Sequence, residues 1–167
     1  MKNRIRTIVL IISCLFGLRI NAQNVEFKSS NFKDKKEEFK TIVAKIAEAD
    51  VLLNAGNETV ALLKNPGNKF KMALAKYREA YNFNPNDASL NFKIGNSLLN
   101  TNEKYDALKF LERAALLKKD LDPMLYFYLG QAAQLNSKFD QAIQYYKQFS
   151  ETAKSKYVDE YNKLSEK

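Results

Sequence analysis

Apolar residues of this chain recur at three- and four-residue steps from Phe32 onward, a spacing typical of amphipathic helices. The first such run predicts one long helix over roughly 33–54. Gly56 is expected to end that helix, and "NPGN" (65–68) is a strong turn signal, with room for a short helical turn in "ETVALL" between them. No stretch of the sequence shows the alternation of a β-strand, so the pattern predicts an all-α fold.

Breaks in the apolar pattern divide the rest of the chain into further helices. Asn86 or Asp87 is expected to cap the helix after "NPND" (84–87), and Asp122 is expected to cap one that begins at Pro123. The predicted helices run from near Lys69 to "NPND", over 88–100, over 104–118, from Pro123 to "NS" (136–137), over 138–152 and over 154–166.

The sequence repeats itself at a period of 34 to 35 residues. When Gly95 is aligned with Gly130, the matched pairs are Ile94 with Leu129, Ala107 with Ala142, Leu108 with Ile143 and Leu111 with Tyr146. A third copy lies upstream, where Ala73, Tyr77 and Ala80 match Ala107, Leu111 and Ala114. This period is typical of stacked helix–turn–helix units, which present a binding surface rather than a reaction centre.

The repeated residues resemble the tetratricopeptide repeat, with its Leu-Gly, its Ala-x3-aromatic-x2-Ala and its Pro at the turn. The matching positions are Ala73, Tyr77, Ala80 and Pro85, then Ile94, Gly95, Leu98, Ala107, Leu111 and Ala114, then Leu129, Gly130, Ala133, Ala142 and Tyr146. The resemblance implies an α-solenoid of three repeats, 32–87, 88–122 and 123–153, followed by a capping helix at 154–167. The first repeat lacks its own Leu-Gly, so its leading helix is placed only loosely.

The repeat register also predicts the core. Gly and Ala at the crossing of two antiparallel helices let the backbones approach, and large residues fill the space on either side. We therefore expect stability to rest on Ile94, Leu98, Leu108, Leu111, Leu129, Ala133, Ile143 and Tyr146.

The first 22 residues are typical of a secretory signal peptide. Lys2, Arg4 and Arg6 precede the apolar run at 7–18, and Ala22 stands before an expected cut at Gln23. This predicts export to the periplasm or to the periplasmic face of the outer membrane. "IISC" around Cys14 weakly resembles a lipoprotein box, but the apolar run continues past it, so a plain signal peptide is favoured. Residues 23–31 are polar and predict an extended leader.

Part of the excess of basic over acidic residues comes from the predicted signal peptide, 1–22. The whole sequence has 27 Lys and Arg against 19 Asp and Glu, but residues 1–22 hold four of the basic residues and none of the acidic ones. The formal charge without them falls from +8 to +4. The remaining charges are interspersed along helices rather than gathered on one face, which disfavours nucleic acid as a partner.

The composition disfavours catalysis. The chain has no His and no Trp, and Cys14 is its only cysteine. The commonest general base, metal ligand and thiol nucleophile are thereby missing from the exported part. We expect no enzymatic activity, no cofactor and no metal.

The resemblance places a partner in the groove lined by the first helix of each repeat. The positions that would line it are Ser89, Phe92, Asn96, Leu99, Met124, Phe127, Gln131 and Gln134. These side chains suit an extended or helical peptide, although Phe92 and Phe127 could equally be half-buried between helices. Lys93 is the only nearby cation, which disfavours a partner with an acidic C-terminal tail.

A finer resemblance is to the amino-terminal repeat region of certain Gram-negative OmpA-like envelope proteins, some of which serve type IX secretion or gliding. "NAQ" at the end of the signal and "MALAKYREAYNFNPNDASLNFKIGNSLL" carry it. The sequence therefore predicts a non-catalytic adaptor for other envelope proteins or peptides. Two alternatives stay open: a self-association module whose concave face receives the leader or another copy, and a truncated part of a peptidoglycan-associated protein.

Overall fold

A computed structural model describes the backbone of residues 23–165 and the side chains of residues 23–153. The predicted signal peptide, 1–22, lies outside the described residues. The helices are α1 Lys36–Ala61, α2 Lys69–Phe83, α3 Ala88–Leu99, α4 Ala107–Leu117, α5 Leu125–Leu135 and α6 Phe139–Ser165. Short 3₁₀ turns at Ser29–Asn31, Lys33–Lys35 and Lys104–Asp106 precede α1 and α4.

The described chain is all-α, as the apolar pattern predicts, and its six helices pack in consecutive antiparallel pairs. α1 pairs with α2, α3 with α4 and α5 with α6, and smaller contacts join α2 to α3 and α4 to α5. This is consistent with a small helical repeat arrangement. One contiguous apolar core runs through all three pairs.

The predicted breaks agree closely with the observed ends of α2, α3 and α4. The Asp87 carboxylate accepts a hydrogen bond from the Leu90 backbone N–H at 2.6 Å, which confirms it as the cap of α3. The start of α5 differs from the prediction. The Asp122 carboxylate accepts from the Met124 N–H at 2.7 Å, and a turn follows it, so that the helix begins at Leu125 instead of Pro123.

The predicted end of α1 at Gly56 is wrong, because the helix continues to Ala61. Gly56 faces the ring of Phe70 in α2, and a Cβ at this position would lie 2.9 Å from Phe70 Cζ. The glycine therefore provides a close helix–helix approach, not a stop. α1 ends instead where Leu63 adopts a positive φ of 54°.

The same approach recurs at the centre of each pair. A Cβ on Gly95 would lie 2.5 Å from Leu111 Cγ, and one on Gly130 would lie 2.5 Å from the Tyr146 ring. The antiparallel register of α1 and α2 places Ala49, which is fully buried, in the corresponding position opposite Tyr77. Alanine thus takes the place of the Leu-Gly that the first repeat lacks.

The predicted repeat positions are buried, except Pro85 and the half-buried Tyr146. Ala73, Tyr77, Ala80, Gly95, Ala107, Ala114, Gly130 and Ala142 are buried. Pro85 is exposed in the α2–α3 turn, where its carbonyl oxygen accepts a hydrogen bond from Asn91 Nδ2 at 2.9 Å.

Of the predicted core residues, Ile94, Leu98, Leu108, Leu111, Leu129 and Ala133 are buried, Tyr146 is half-buried and Ile143 is exposed. The expectation for Ile143 is wrong because burial at this position depends on a following helix. Its counterparts Leu74 and Leu108 are 1% and 5% exposed, since α3 and α5 follow them, whereas Ile143 is 66% exposed.

The predicted boundary at 153/154 is absent, because α6 is one helix of 27 residues, Phe139–Ser165. This stretch contains neither Pro nor Gly, so nothing in it interrupts the helical hydrogen bonds. The segment 154–165 continues the last helix and is not a separate capping helix, and 166–167 lie outside the described residues.

Candidate interaction surface

Two hollows lie on the side of the fold where the first helices of the pairs meet. The first hollow, of about 300 Å³, is formed by α1, α3, α5 and the segment before α5. The second hollow, of about 650 Å³, is formed by the C-terminal ends of α3 and α5 together with the start of α6. Both hollows use α3 and α5, so they follow one another along the same side of these helices.

Seven of the eight predicted groove residues line these hollows. Ser89, Phe92, Asn96 and Met124 line the first hollow. Leu99, Gln131 and Gln134 line the second hollow. The repeat register therefore brings together positions that are up to 45 residues apart in the sequence, from Ser89 to Gln134.

Phe127 is the exception, since it lines neither hollow. Its ring packs against those of Tyr128, Tyr146 and Phe149 at centroid distances of 5.7, 6.1 and 5.4 Å. For Phe127 the interpretation as a residue packed between helices is therefore the better one. Phe92 is half-buried too, 5.7 Å from the ring of Tyr128, but it does line the first hollow.

The first hollow also contains residues that the repeat register did not select. They are Leu53, Asn54 and Asn57 of α1, Lys93 of α3, Leu121 and Asp122 before α5, and Tyr128 of α5. Asn57 lies beyond the predicted helix stop at Gly56, whereas Asn54 is the last residue of the predicted helix. The repeat register selected no residue of α1, because the first repeat lacks the Leu-Gly that would place its leading helix.

Asn96 carries unused hydrogen-bonding capacity in the wall of the first hollow. Its side chain is 4% exposed, and its Oδ1 atom has no hydrogen-bond partner among the described residues. Leaving a buried polar atom unsatisfied costs about 1–3 kcal/mol. The oxygen is itself buried, so it does not face the open space of the hollow, and the Asn96 side chain lies beside the Tyr128 hydroxyl.

Charges near the first hollow largely neutralise one another. Asp50 accepts from Lys93 Nζ at 2.8 Å and from the Tyr77 hydroxyl at 2.6 Å, and it thereby ties α1 to α3 and α2. Burial, followed by the hydrogen bond to Asp50, raises the pKa of Tyr77, so the hydroxyl stays a donor. The one cation expected near the groove is therefore already paired, which supports the prediction against an acidic tail.

Tyr128 is also held in its neutral form. Burial raises its pKa, and the nearby negative charge of Asp122 acts in the same direction. Both residues line the first hollow, so its described lining has a neutral hydroxyl, the Asp122 carboxylate and the Lys93 ammonium that pairs with Asp50.

The second hollow combines amides with aromatic rings. Gln134 Oε1 accepts a hydrogen bond from the Tyr146 hydroxyl at 3.2 Å, and Phe139 is largely exposed at the hollow's edge. Asn100, Gln131 and Leu135 complete the lining together with Leu99. The surface thus offers hydrogen-bonding amides and a hydroxyl beside apolar area, and none of the described side chains that line it is charged.

Among the described side chains, residues 23–153, no three metal-ligating groups come together. No helix within the described residues 23–165 has the length and apolar character needed to cross a membrane.

The structure defines an all-helical domain of six packed helices in antiparallel pairs. No model of a known protein family matches the sequence, and no curated protein matches it either.

Proposed function

We propose that this protein is an exported, non-catalytic adaptor of the tetratricopeptide type, which binds a peptide or protein segment along its two hollows. The single observation that carries the proposal is the placement of seven predicted groove residues in two successive hollows. Concave sites that combine apolar area with a few placed polar groups are the usual form of binding sites.

The repeat type is supported by the two close approaches at the centres of the second and third pairs. Gly95 and Gly130 meet Leu111 and Tyr146 in α4 and α6, and both pairs follow the 35-residue period. Asn91 stands where that family has a large residue. Its Nδ2 atom donates to the carbonyl oxygens of Pro85 and Asp87 at 2.9 and 2.8 Å, so it fixes the turn that the large residue would cover.

The lining of the hollows indicates the chemistry of the partner. Primary amides can donate to a peptide C=O and accept from a peptide N–H, and the aromatic rings offer contact area for apolar side chains. Because the lining is nearly neutral, we expect an uncharged or weakly charged partner segment. Binding should therefore change little with ionic strength.

The location of the adaptor in the cell envelope rests on the signal-peptide pattern at 1–22. Other envelope proteins or peptides are then the expected partners, with no nucleic acid, cofactor or metal involved. From the resemblance to OmpA-like envelope proteins we take only the adaptor role. Association with peptidoglycan stays an alternative.

Replacing Phe92 with Ser should abolish partner capture while the domain stays folded. Phe92 supplies apolar area to the first hollow, and its half-buried position limits the loss of core packing. The matched control is Leu116→Ser, because Leu116 is 67% exposed on α4 and lines neither hollow. The measurement is quantitative mass spectrometry of proteins captured from envelope extract, with circular dichroism to verify folding. Retention of every partner by a folded Phe92→Ser variant would refute the groove.

A second candidate function, self-association, is favoured by the exposed end of the stack. Phe139 and Ile143 of α6 are 60% and 66% exposed one helical turn apart, whereas Leu108, the counterpart of Ile143, is covered by α5. A second copy that packs on this end of α6 would bury the same position.

Ile143→Lys should convert such an oligomer into a monomer without loss of fold, since the side chain is exposed in the single chain. Light scattering over a range of protein concentrations measures the mass, and Val51→Lys on α1 is the control with a comparably exposed side chain. If the unaltered protein is a monomer at the highest concentration, self-association through α6 is ruled out.

A further inference from the structure

The leader does not lie in either hollow but crosses the turn between α2 and α3. The Val25 N–H donates to the Asn86 carbonyl oxygen at 2.8 Å, and Asn84 Nδ2 donates to the Val25 carbonyl oxygen at 2.7 Å. On either side of Val25, the Ala88 N–H donates to Asn24 Oδ1 at 2.9 Å and the Phe27 N–H donates to Asp87 Oδ2 at 3.2 Å. Four hydrogen bonds, made by Asn24, Val25 and Phe27, thus hold the extended segment 24–27, which we call the leader strand although it is not part of a β-sheet.

The ring of Phe27 anchors the end of the leader strand. It lies 5.8 Å from the ring of Phe32, 6.4 Å from that of Phe39 and 6.1 Å from that of Phe83. Because α1 and α2 supply Phe39 and Phe83, this aromatic cluster lies beside the α2–α3 turn. The leader strand therefore has a polar anchor along its backbone and an apolar anchor at Phe27.

The residues that receive the leader strand are held in place by contacts of their own. The Asn84 side-chain oxygen accepts from the Asn86 N–H at 3.1 Å, and Asn86 Oδ1 accepts from Arg113 at 2.6 Å. The other carboxylate oxygen of Asp87 accepts from the Leu90 N–H at 2.6 Å. We call this receptor, residues 83–88, the leader notch. It is preorganised, because these contacts do not involve the leader strand.

We propose that the leader notch is a binding site for an extended segment of the pattern Asn-x-x-Phe, and that the leader strand is its resident ligand in cis. The first residue presents a side-chain oxygen to the Ala88 N–H, the second pairs through its backbone, and the fourth donates to Asp87 and places its ring in the cluster. The third residue, Glu26, pairs with Lys28 at 2.5 Å and is not read by the notch. The leader strand of a second copy carries the same pattern and can occupy the notch in trans.

The leader strand of the same chain occupies the notch far more readily than a free segment can, because it is tethered beside it. Only the short segment 28–35 separates the leader strand from α1, and such tethering corresponds to an effective concentration of the order of mM. A free segment therefore binds well only when the resident strand is weakened.

A labelled, end-capped peptide with the sequence of residues 23–29, "QNVEFKS", is the probe for this site. We expect it to bind the full chain carrying Asn24→Ala and Phe27→Ala, as measured by fluorescence anisotropy, and to bind the unaltered chain at least about tenfold more weakly. The control peptide has alanine at the position of Phe27 and should not bind. Absence of binding to the folded double variant would overturn the proposal.

Amide hydrogen exchange on the unaltered chain tests the same site without any risk of misfolding. The Val25 and Phe27 amides should be protected, because both donate hydrogen bonds. Asp87→Asn keeps a good helix cap but offers one side-chain oxygen instead of two, so Phe27 should exchange faster while Leu90 stays protected. Unprotected Val25 and Phe27 amides in the unaltered chain would overturn the proposal. Neither result depends on the two hollows, so failure here leaves the adaptor proposal standing.

Discussion

Gly95→Ala should lower the free energy of unfolding by about 1–3 kcal/mol, the usual cost of overpacking a core. The new Cβ would lie 2.5 Å from Leu111 Cγ and 2.7 Å from its Cδ2. Leu111 is fully buried, so its branch point cannot move away without shifting α4. This clash outweighs the gain of up to about 1 kcal/mol that alanine brings to a helix interior. Denaturant unfolding followed by circular dichroism measures the change.

Two further variants test the cause of that loss. Gly130→Ala should cost less, because its neighbour Tyr146 is half-buried and its ring can swing toward solvent. Leu111→Ala combined with Gly95→Ala should destabilise by less than the sum of the two single changes, since the smaller side chain removes the clash. A Gly95→Ala variant as stable as the unaltered protein would contradict the close approach of α3 and α4.

Tyr77→Ala should lower the free energy of unfolding by about 3–5 kcal/mol, the range for removing a large aromatic side chain from a core. Tyr77 is fully buried at the centre of the first pair, and its hydroxyl donates to Asp50. The substitution leaves a cavity between α1 and α2 and removes one of the two partners that hold the Asp50 carboxylate. Since domains are typically stable by about 5–15 kcal/mol, we expect a large drop in melting temperature.

Tyr77→Phe separates the two contributions. It keeps the ring and loses only the hydrogen bond to Asp50, which should cost about 1 kcal/mol because Lys93 still pairs with the carboxylate. Thermal unfolding of the two variants side by side gives both values. If Tyr77→Phe and Tyr77→Ala lowered the free energy of unfolding equally, the hydroxyl and not the packing of the ring would set the stability of the α1–α2 pair.

The fold was predictable where a short sequence motif or the repeat period alone determines a helix end or a close helix–helix contact. "NPND" marks a real helix end, as does the predicted break between 88–100 and 104–118. The period that aligns Gly95 with Gly130 identifies the two close approaches. Gly56 was misread because a glycine that ends a helix and one that admits a neighbouring ring look the same in sequence. Only the opposing residue, Phe70, distinguishes them, and it belongs to the next helix.

The end of the stack shows a second limit of sequence patterns. Ile143 occupies a core position of the repeat, yet its burial needs a helix that follows α6, and the chain continues straight to Ser165 instead. A repeat pattern predicts which face of each helix points toward the core, but it does not predict whether another helix covers that face.

The candidate surface was predictable to the extent that it follows the repeat. Seven of the residues that the period selected line the two hollows, whereas the eighth, Phe127, turns its ring toward the aromatic residues of α6. Asp50 and the leader notch were missed for a different reason. Lys93 lies 43 residues from its partner Asp50, and Val25 lies 59 residues from its partner Asn84 in the notch, and no periodic signal connects either pair.

Site-specific photo-crosslinking in the envelope tests the adaptor proposal most directly. A photoreactive amino acid at Met124 in the first hollow or at Gln134 in the second should form discrete adducts with the same partner. The same group at Leu116, which is exposed on α4 away from both hollows, should form none of these adducts. Identical adducts from all three positions, or none from Met124 and Gln134, would contradict binding along the hollows.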